Sequence, residues 1–168
     1  WFYLMFPEGI KLNKLEDFNR IGIAFSGGLD SSVLLSFITE NFSSKDKLYA
    51  LHVNHDIHED SDQWEEFCKD QASKLNINFN AWKLTNLSKN SEEVLRDNRY
   101  LALQSWAQKD DLIITAHHLD DQIETILFRI FRGSGINGLQ GMKKYSEINE
   151  LNIFRPFLDK KKEELLLY

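Results

Sequence analysis

Cysteine is almost absent: Cys68 is the only one in 168 residues. An internal disulfide framework, a cysteine zinc cluster and a cysteine-ligated iron–sulfur centre are thereby excluded. A lone thiol fits a reducing cytoplasm, and at helical spacing among apolar residues it reads as a small buried hydrophobe. Proline is scarce as well, with two residues, and no stretch rich in Pro, Gly or Ser marks a linker. One domain over residues 1–168 is the expectation at this length. No run approaches the ~20 apolar residues of a membrane span, so no membrane partner is expected. The opening WFYLMFPEG is apolar but short, without the basic lead or small-residue cleavage site of a secretory signal. A start without methionine, and an end in KKKEELLLY that reads as an amphipathic helix cut short, predict a domain trimmed from a longer protein. Positive charge is also in deficit: the net charge is −6. That argues against a surface that coats nucleic acid broadly through Lys and Arg, and leaves room for a local basic patch.

What is present is an alternation of strand and helix patterns. Residues 20–25, RIGIAF, form a short apolar run before a glycine turn and read as a buried strand. Residues 31–42 read as a helix with Val33, Leu34, Phe37 and Ile38 on one stripe. A strand over 47–55 follows, then a helix over 60–75 with Trp64, Phe67, Cys68, Ala72 and Leu75 at helical spacing. Residues 78–84 alternate like a strand, and residues 91–108 read as a helix capped by Ser91. A strand over 111–118 leads into a helix over 120–131 with Ile123, Ile126, Leu127, Ile130 and Phe131 turned inward. After a glycine-punctuated loop over 132–141, residues 152–157 form a last strand, and Asp159 caps a final helix. The order predicts an α/β fold: a Rossmann-like, doubly wound parallel sheet of about five strands with helices on both faces and right-handed crossovers. Ligands of such sheets lie outside the carboxyl ends of the strands. Segments 26–32, 52–58 and 116–124 therefore share one rim.

The segment IGIAFSGGLDSSVLL is built for an anion. Gly27 and Gly28 let backbone amides approach closely, and Ser26, Ser31 and Ser32 add hydroxyls. The following helix aims its N-terminus at the same spot. Asp30 is the odd member, since a carboxylate beside phosphate is repulsive unless a shared Mg²⁺ joins them. The lysine of GxxxxGK[ST] is missing and so is GxGxxG. On the helix at 120–131, Asp121 and Glu124 share a face and Glu124 neighbours Asp120. Three carboxylates at one helix start repel unless a cation joins them, either Mg²⁺ or the ammonium of a substrate; solvated acids at a helix N-terminus are the plain alternative. His52, His55 and His58 lack the cysteine or helical spacing that would make them a zinc site. Arg129, Arg132, Lys143 and Lys144 make a small basic patch suited to an RNA backbone, or a plain solvated face.

SGGLDSS after a first strand resembles the pyrophosphate loop of the N-type ATP pyrophosphatases, the PP-loop enzymes, which cleave ATP to AMP and pyrophosphate while adenylating a substrate. The resemblance implies an adenine nucleotide alpha hydrolase-like fold. Four further stretches are similar to the tRNA(Ile)-lysidine synthetases of that superfamily. These are ALHVNHDIHEDSDQWEEFC, SEEVLRDNRYLAL, TAHHLDDQIETILFRIFRGSGINGLQGM and FRPFLDKKKEEL, together spanning residues 20–166. Leu95 stands where that family commonly has alanine.

The resemblance implies a ligase that joins free L-lysine to C2 of the wobble cytidine of tRNA(Ile) with a CAU anticodon. ATP first adenylates the base; AMP and pyrophosphate are released. With charge logic it assigns Ser26, Gly27, Gly28, Leu29, Asp30, Ser31, Ser32, His52 and Ala116 to ATP. It assigns Glu92, Arg96, Arg99, His118, Asp120 and Arg132 to tRNA and lysine. Asp30, Asp121 and Glu124 are the catalytic candidates, with Mg²⁺ on Asp30 and Glu124. The family's C-terminal tRNA-gripping domains are absent from the chain, and a homodimer is an open assembly. Rival readings are a tRNA thiolase, disfavoured by the lone cysteine; the synthetase half of an amidotransferase; and an ATP-binding sensor without catalysis.

Overall fold

The computed structural model describes residues 12–56, 60–84, 92–133 and 140–167. Ser91, His58 and the tip of the glycine loop, to which the sequence reading assigned roles, lie outside them. β1 (Ile21–Ala24) is the hub of the sheet. It pairs in parallel with β2 (Leu48–Asn54) on one side and β4 (Leu112–Ile114) on the other. β3 (Asn78–Lys83) extends the sheet beyond β2, and β6 (Leu151–Phe154) extends it beyond β4. All these pairings are parallel. A sixth strand, β5 (Tyr145–Ile148), closes the far edge as an antiparallel hairpin with β6, giving the order β3-β2-β1-β4-β6-β5. β5 was not expected from the sequence. Its residues alternate exposed and half-buried, so it carries no apolar run that would announce a strand; pairing to an already formed β6 edge recruits it.

Helices cover both faces, as the strand–helix alternation predicts. On one face α1 (Leu29–Asn41) and α2 (Ser61–Lys74) pack with the short α5 (Lys162–Leu165). Leu34, Phe37, Ile38, Cys68, Ala72 and Leu165 close over Ile21, Ile23, Leu48 and Ile114. On the other face α3 (Glu92–Trp106) sets Leu103 and Trp106 against Leu51, Ile113 and Ile153. The close approach of α3 depends on Gly22, where a Cβ would come within 2.9 Å of Trp106 and Ile113. Arg20 and Asp111 lock the amino-terminal edge of the sheet. The Asp111 side chain is 1% exposed; it accepts from Arg20 Nε at 3.1 Å and from the Gln108 amide at 2.7 Å. That pairing holds the Arg20 guanidinium above its usual range, and the cation lies 4.4 Å from the Trp106 ring centre.

Two expectations about packing and one about capping are corrected. α4 (Leu119–Phe131) has no buried residue: Ile123, Leu127, Ile130 and Phe131 are exposed rather than inward. On α2 only Cys68 and Ala72 are buried, while Trp64 and Phe67 stack on each other at the surface. Periodicity shows which face of a helix is apolar, not whether the chain covers it. Finally, α5 is capped at Lys161, not Asp159.

Candidate nucleotide-binding site

β1 ends at Ala24, and the chain must turn sharply to start α1 at Leu29. Gly27 makes that turn with φ +79°. A side chain there would be strained, and its Cβ would meet Cys68 Sγ at 2.8 Å and Trp64 Nε1 at 2.9 Å. Gly28 then caps α1 without any side-chain hydrogen bond, which leaves the first amides of the helix facing outward with their donors available to an anion. The serines brace the turn. Ser31 Oγ and Ser32 Oγ each donate to the Gly28 carbonyl at 2.9 Å, and Ser26 Oγ lies 3.1 Å from Ser31 Oγ. The Trp64 indole donates to the Ser26 carbonyl at 2.7 Å. Residues 26–32 are thus a preshaped cradle, backed by α2.

Across the rim, β4 ends and α4 begins at His118. Its backbone amide donates to Asp121 Oδ2 at 2.8 Å, so Asp121 back-caps the helix from its first turn. The His118 ring is buried among three carboxylates. Nε2 lies 3.6 Å from Asp30 Oδ2, and Nδ1 lies 3.7 Å from Asp120 and 3.5 Å from Asp121. His118 therefore stands between the phosphate loop and the acidic start of α4, with Nδ1 buried and without a hydrogen-bond partner. Lys162 approaches Asp30 Oδ2 at 3.7 Å, while Asp30 Oδ1 is buried without a hydrogen-bond partner.

The remaining predicted residues are distributed more widely. His52 is buried; its Nδ1 meets the Phe25 carbonyl at 2.9 Å and its ring stacks on Phe79. Ala116 is partly buried and packs against the core. Glu124 is exposed, and no hydrogen bond or ion pair among the described residues joins it to Asp30. Arg96 and Arg99 sit exposed on α3. Arg132 lies 4.0 Å from Glu93 and covers Phe128. The side chain of Glu92 lies outside the described set. His117, next to the site, contacts Thr115 Oγ1 at 2.8 Å. Burial, then the positive field of Arg155, pushes it down to about 4, with Arg96 and Arg99 adding and Asp121 opposing.

A buried, unpartnered carboxylate oxygen facing a phosphate loop suits Mg²⁺, which takes one or two carboxylates and completes its shell with water and phosphate. Asp30 fits such a role. Glu124 gains no support, and no cluster of three metal-binding side chains exists among the described residues.

Sequence reasoning missed Trp64, assigned to a core stripe, and Lys162, hidden in a lysine run. It did not foresee the bracing role of Asn54, whose amide ties the end of β2 to the Ser61 carbonyl, Asp62 and Glu65. None carries a sequence signal, because each acts through a neighbour distant in the chain.

A Rossmann-like sheet with an uncapped, glycine-turned helix start at its carboxyl rim defines a nucleotide-binding α/β protein. The chain belongs to the PP-loop domain family, whose model matches residues 8–168. It is 37% identical over 98% of its length to a tRNA(Ile)-lysidine synthase of Legionella pneumophila, and covers 38% of that protein. It is 40% identical to the one from Wigglesworthia glossinidia brevipalpis, with 87% of this chain and 40% of that protein covered. The chain thus spans well under half the length of these relatives. Among solved structures, a U34-tRNA thiolase from Methanococcus maripaludis shares the fold with a TM-score of 0.72 at 17% identity, covering 98% of this chain and 60% of that one. An NH3-dependent NAD synthetase from Campylobacter jejuni gives 0.58 at 15%, covering 92% and 64%. Among the described residues no helix is long and apolar enough to cross a membrane.

Proposed function

We propose that this chain is the catalytic domain of a tRNA(Ile)-lysidine synthase, an ATP-dependent ligase of C–N bonds. The observation that carries the reading is the facing of the phosphate cradle at 26–32 and the acidic start of α4 across one rim, with His118 between them. The curated relatives bear that name at 37–40% identity.

The chemistry divides into two displacements. In the first, O2 of the wobble cytidine of a CAU anticodon attacks the α-phosphorus of ATP, the bond to pyrophosphate breaks, and an adenylated base remains. The outward amides of α1 and the loop backbone stabilise charge on the departing pyrophosphate. Mg²⁺, when held through Asp30, neutralises phosphate charge. In the second, the ε-amine of free lysine attacks C2 and displaces AMP, losing a proton as the C–N bond forms. Asp120, Asp121 and Glu124 supply the negative field that gathers the ammonium, and Asp121 is fixed toward the site by its bond from the His118 amide. The basic residues of α3 and the segment after α4 meet the RNA backbone.

Thiolation is the rival with a structural neighbour, and Cys68 lends it no support. It is buried, and burial, with Glu65 adding, pushes the thiol up to about 11. A sulfur relay needs an accessible, low-pKa thiol.

The test is incubation of the full-length protein with ATP, labelled lysine and tRNA transcripts carrying CAU or a control anticodon. CAU-specific, ATP-dependent label in RNA is the expected result. Asp121→Asn keeps an acceptor for the His118 amide, so it removes charge without unfolding the helix start. Lysine transfer in that variant is expected to drop by about 100-fold or more. Unimpaired adenylation and transfer would refute its assigned role.

A further inference from the structure

The proposed function leaves one feature of the fold unexplained, a buried cation. Arg155 follows β6 and is 2% exposed. One Nη donates to the Lys143 carbonyl at 2.9 Å and to Ser146 Oγ at 2.8 Å, and Nε has no partner. Among the described residues no carboxylate pairs with it. A buried guanidinium without a counter-ion is costly unless something anionic completes it. It lines a cavity of about 460 Å³ that also draws Arg96 from α3, Arg129 from α4 and Lys143 from the segment before β5. Four cations thus meet one carboxylate, Glu147, in the lining of this cavity, in a protein whose net charge is −6.

Part of the cavity's lining stands at the same rim as the phosphate cradle. β6 runs parallel to β4, so Arg155 stands at a carboxyl end, as Ser26 and His118 do. Antiparallel β5 brings Tyr145 there too, opposite Phe154. Two strand spacings separate β1 from β6, about 10 Å, or about three stacked base steps at ~3.4 Å each. Tyr145 is 49% exposed and stacks on buried Phe154 at 4.2 Å. A ring fixed from behind and open in front, beside convergent cations, is how proteins hold single-stranded nucleotides. Arg presents a fork matched to phosphate.

We propose that this cavity is a second nucleotide subsite, in which Arg155, Arg96, Arg129 and Lys143 hold a backbone phosphate of the RNA loop and Tyr145 stacks the adjoining base, within about three nucleotides of the reacting cytidine. The inference rests on the tRNA reading above. It gives the RNA a fixed register on the rim: one nucleotide anchored beyond β4 so that its neighbour is splayed toward the phosphate cradle.

The test is fluorescence anisotropy of the full-length protein with a labelled anticodon stem-loop RNA bearing CAU. A set of the same RNA carries single neutral methylphosphonate linkages around the cytidine. Lys143→Gln and Tyr145→Leu change exposed side chains, and thermal melting checks that both stay folded. In wild type, one linkage near the cytidine is expected to weaken binding when neutralised, and that loss should shrink in Lys143→Gln. Removing one phosphate contact should lessen the affinity lost between about 50 and 200 mM salt by about 2.6-fold. Tyr145→Leu should weaken binding by about fivefold or more. If wild type binds but both variants match it in affinity and salt slope, the subsite is refuted and the tRNA reading stands. If wild type binds no RNA, both fall.

Discussion

Replacing Gly27 by alanine tests the phosphate cradle directly. Gly27 has φ +79°, a region that costs an L-residue about 1–2 kcal/mol. The stiffer unfolded chain returns about 0.5 kcal/mol. The new Cβ would lie 2.8 Å from Cys68 Sγ and 2.9 Å from Trp64 Nε1. Cys68 is 0% exposed and held in the core, so the indole must move, and its bond to the Ser26 carbonyl is lost with it. Overpacking of this kind costs about 1–3 kcal/mol. The net destabilisation is about 3 kcal/mol, which for a domain of this size lowers Tm by about 6–12 °C. Gly28→Ala is the matched control. Its φ of −70° suits any residue, and its Cβ meets only Ser26 Oγ, at 3.4 Å. The cost there is about 0.5 kcal/mol, from a poorer helix cap. The assay is thermal unfolding with and without MgATP: Gly27→Ala should melt low and lose most of the ATP-induced stabilisation. Equal losses in both variants, or a Gly27→Ala melt within about 1 °C of wild type, would refute the account.

Arg20→Met should destabilise by about 3 kcal/mol in urea melts, because it strands the buried Asp111 carboxylate; a change within about 0.5 kcal/mol would show that the pair is dispensable. His117, held down to about 4 against an ordinary 6.5, takes up its proton later than the unfolded chain does. Stability is therefore full above about 6.5 and falls as pH drops toward about 4, by about 2–3 kcal/mol. A pH series of urea melts should show a shallower fall for His117→Gln; parallel curves would sink the assignment. Cys68, buried and with its thiol pushed up to about 11, should resist iodoacetamide at pH 8 in the native protein and react once unfolded, by mass spectrometry.

Much of this protein is legible along the chain. Short apolar runs between helical stripes, each ended by a turn signal, set out the parallel sheet and its rim, because a strand buried on both faces must be apolar throughout. SGGLDSS between strand and helix announces its own chemistry, since a glycine turn, hydroxyls and a helix start are all local in sequence. The acidic start of α4 is local in the same way.

What only the tertiary structure decided are relations between distant segments. The carboxylates around His118 come from α1 and α4; Trp64 braces a loop 38 residues away; Arg155, Arg96, Arg129 and Lys143 meet at one cavity. β5, with no apolar run, becomes a strand only because β6 offers an edge. The apolar stripe of α4 was legible but its burial was not: a sequence specifies the chemistry of a surface through spacing, whereas what lies against that surface is settled by how the whole chain closes on itself.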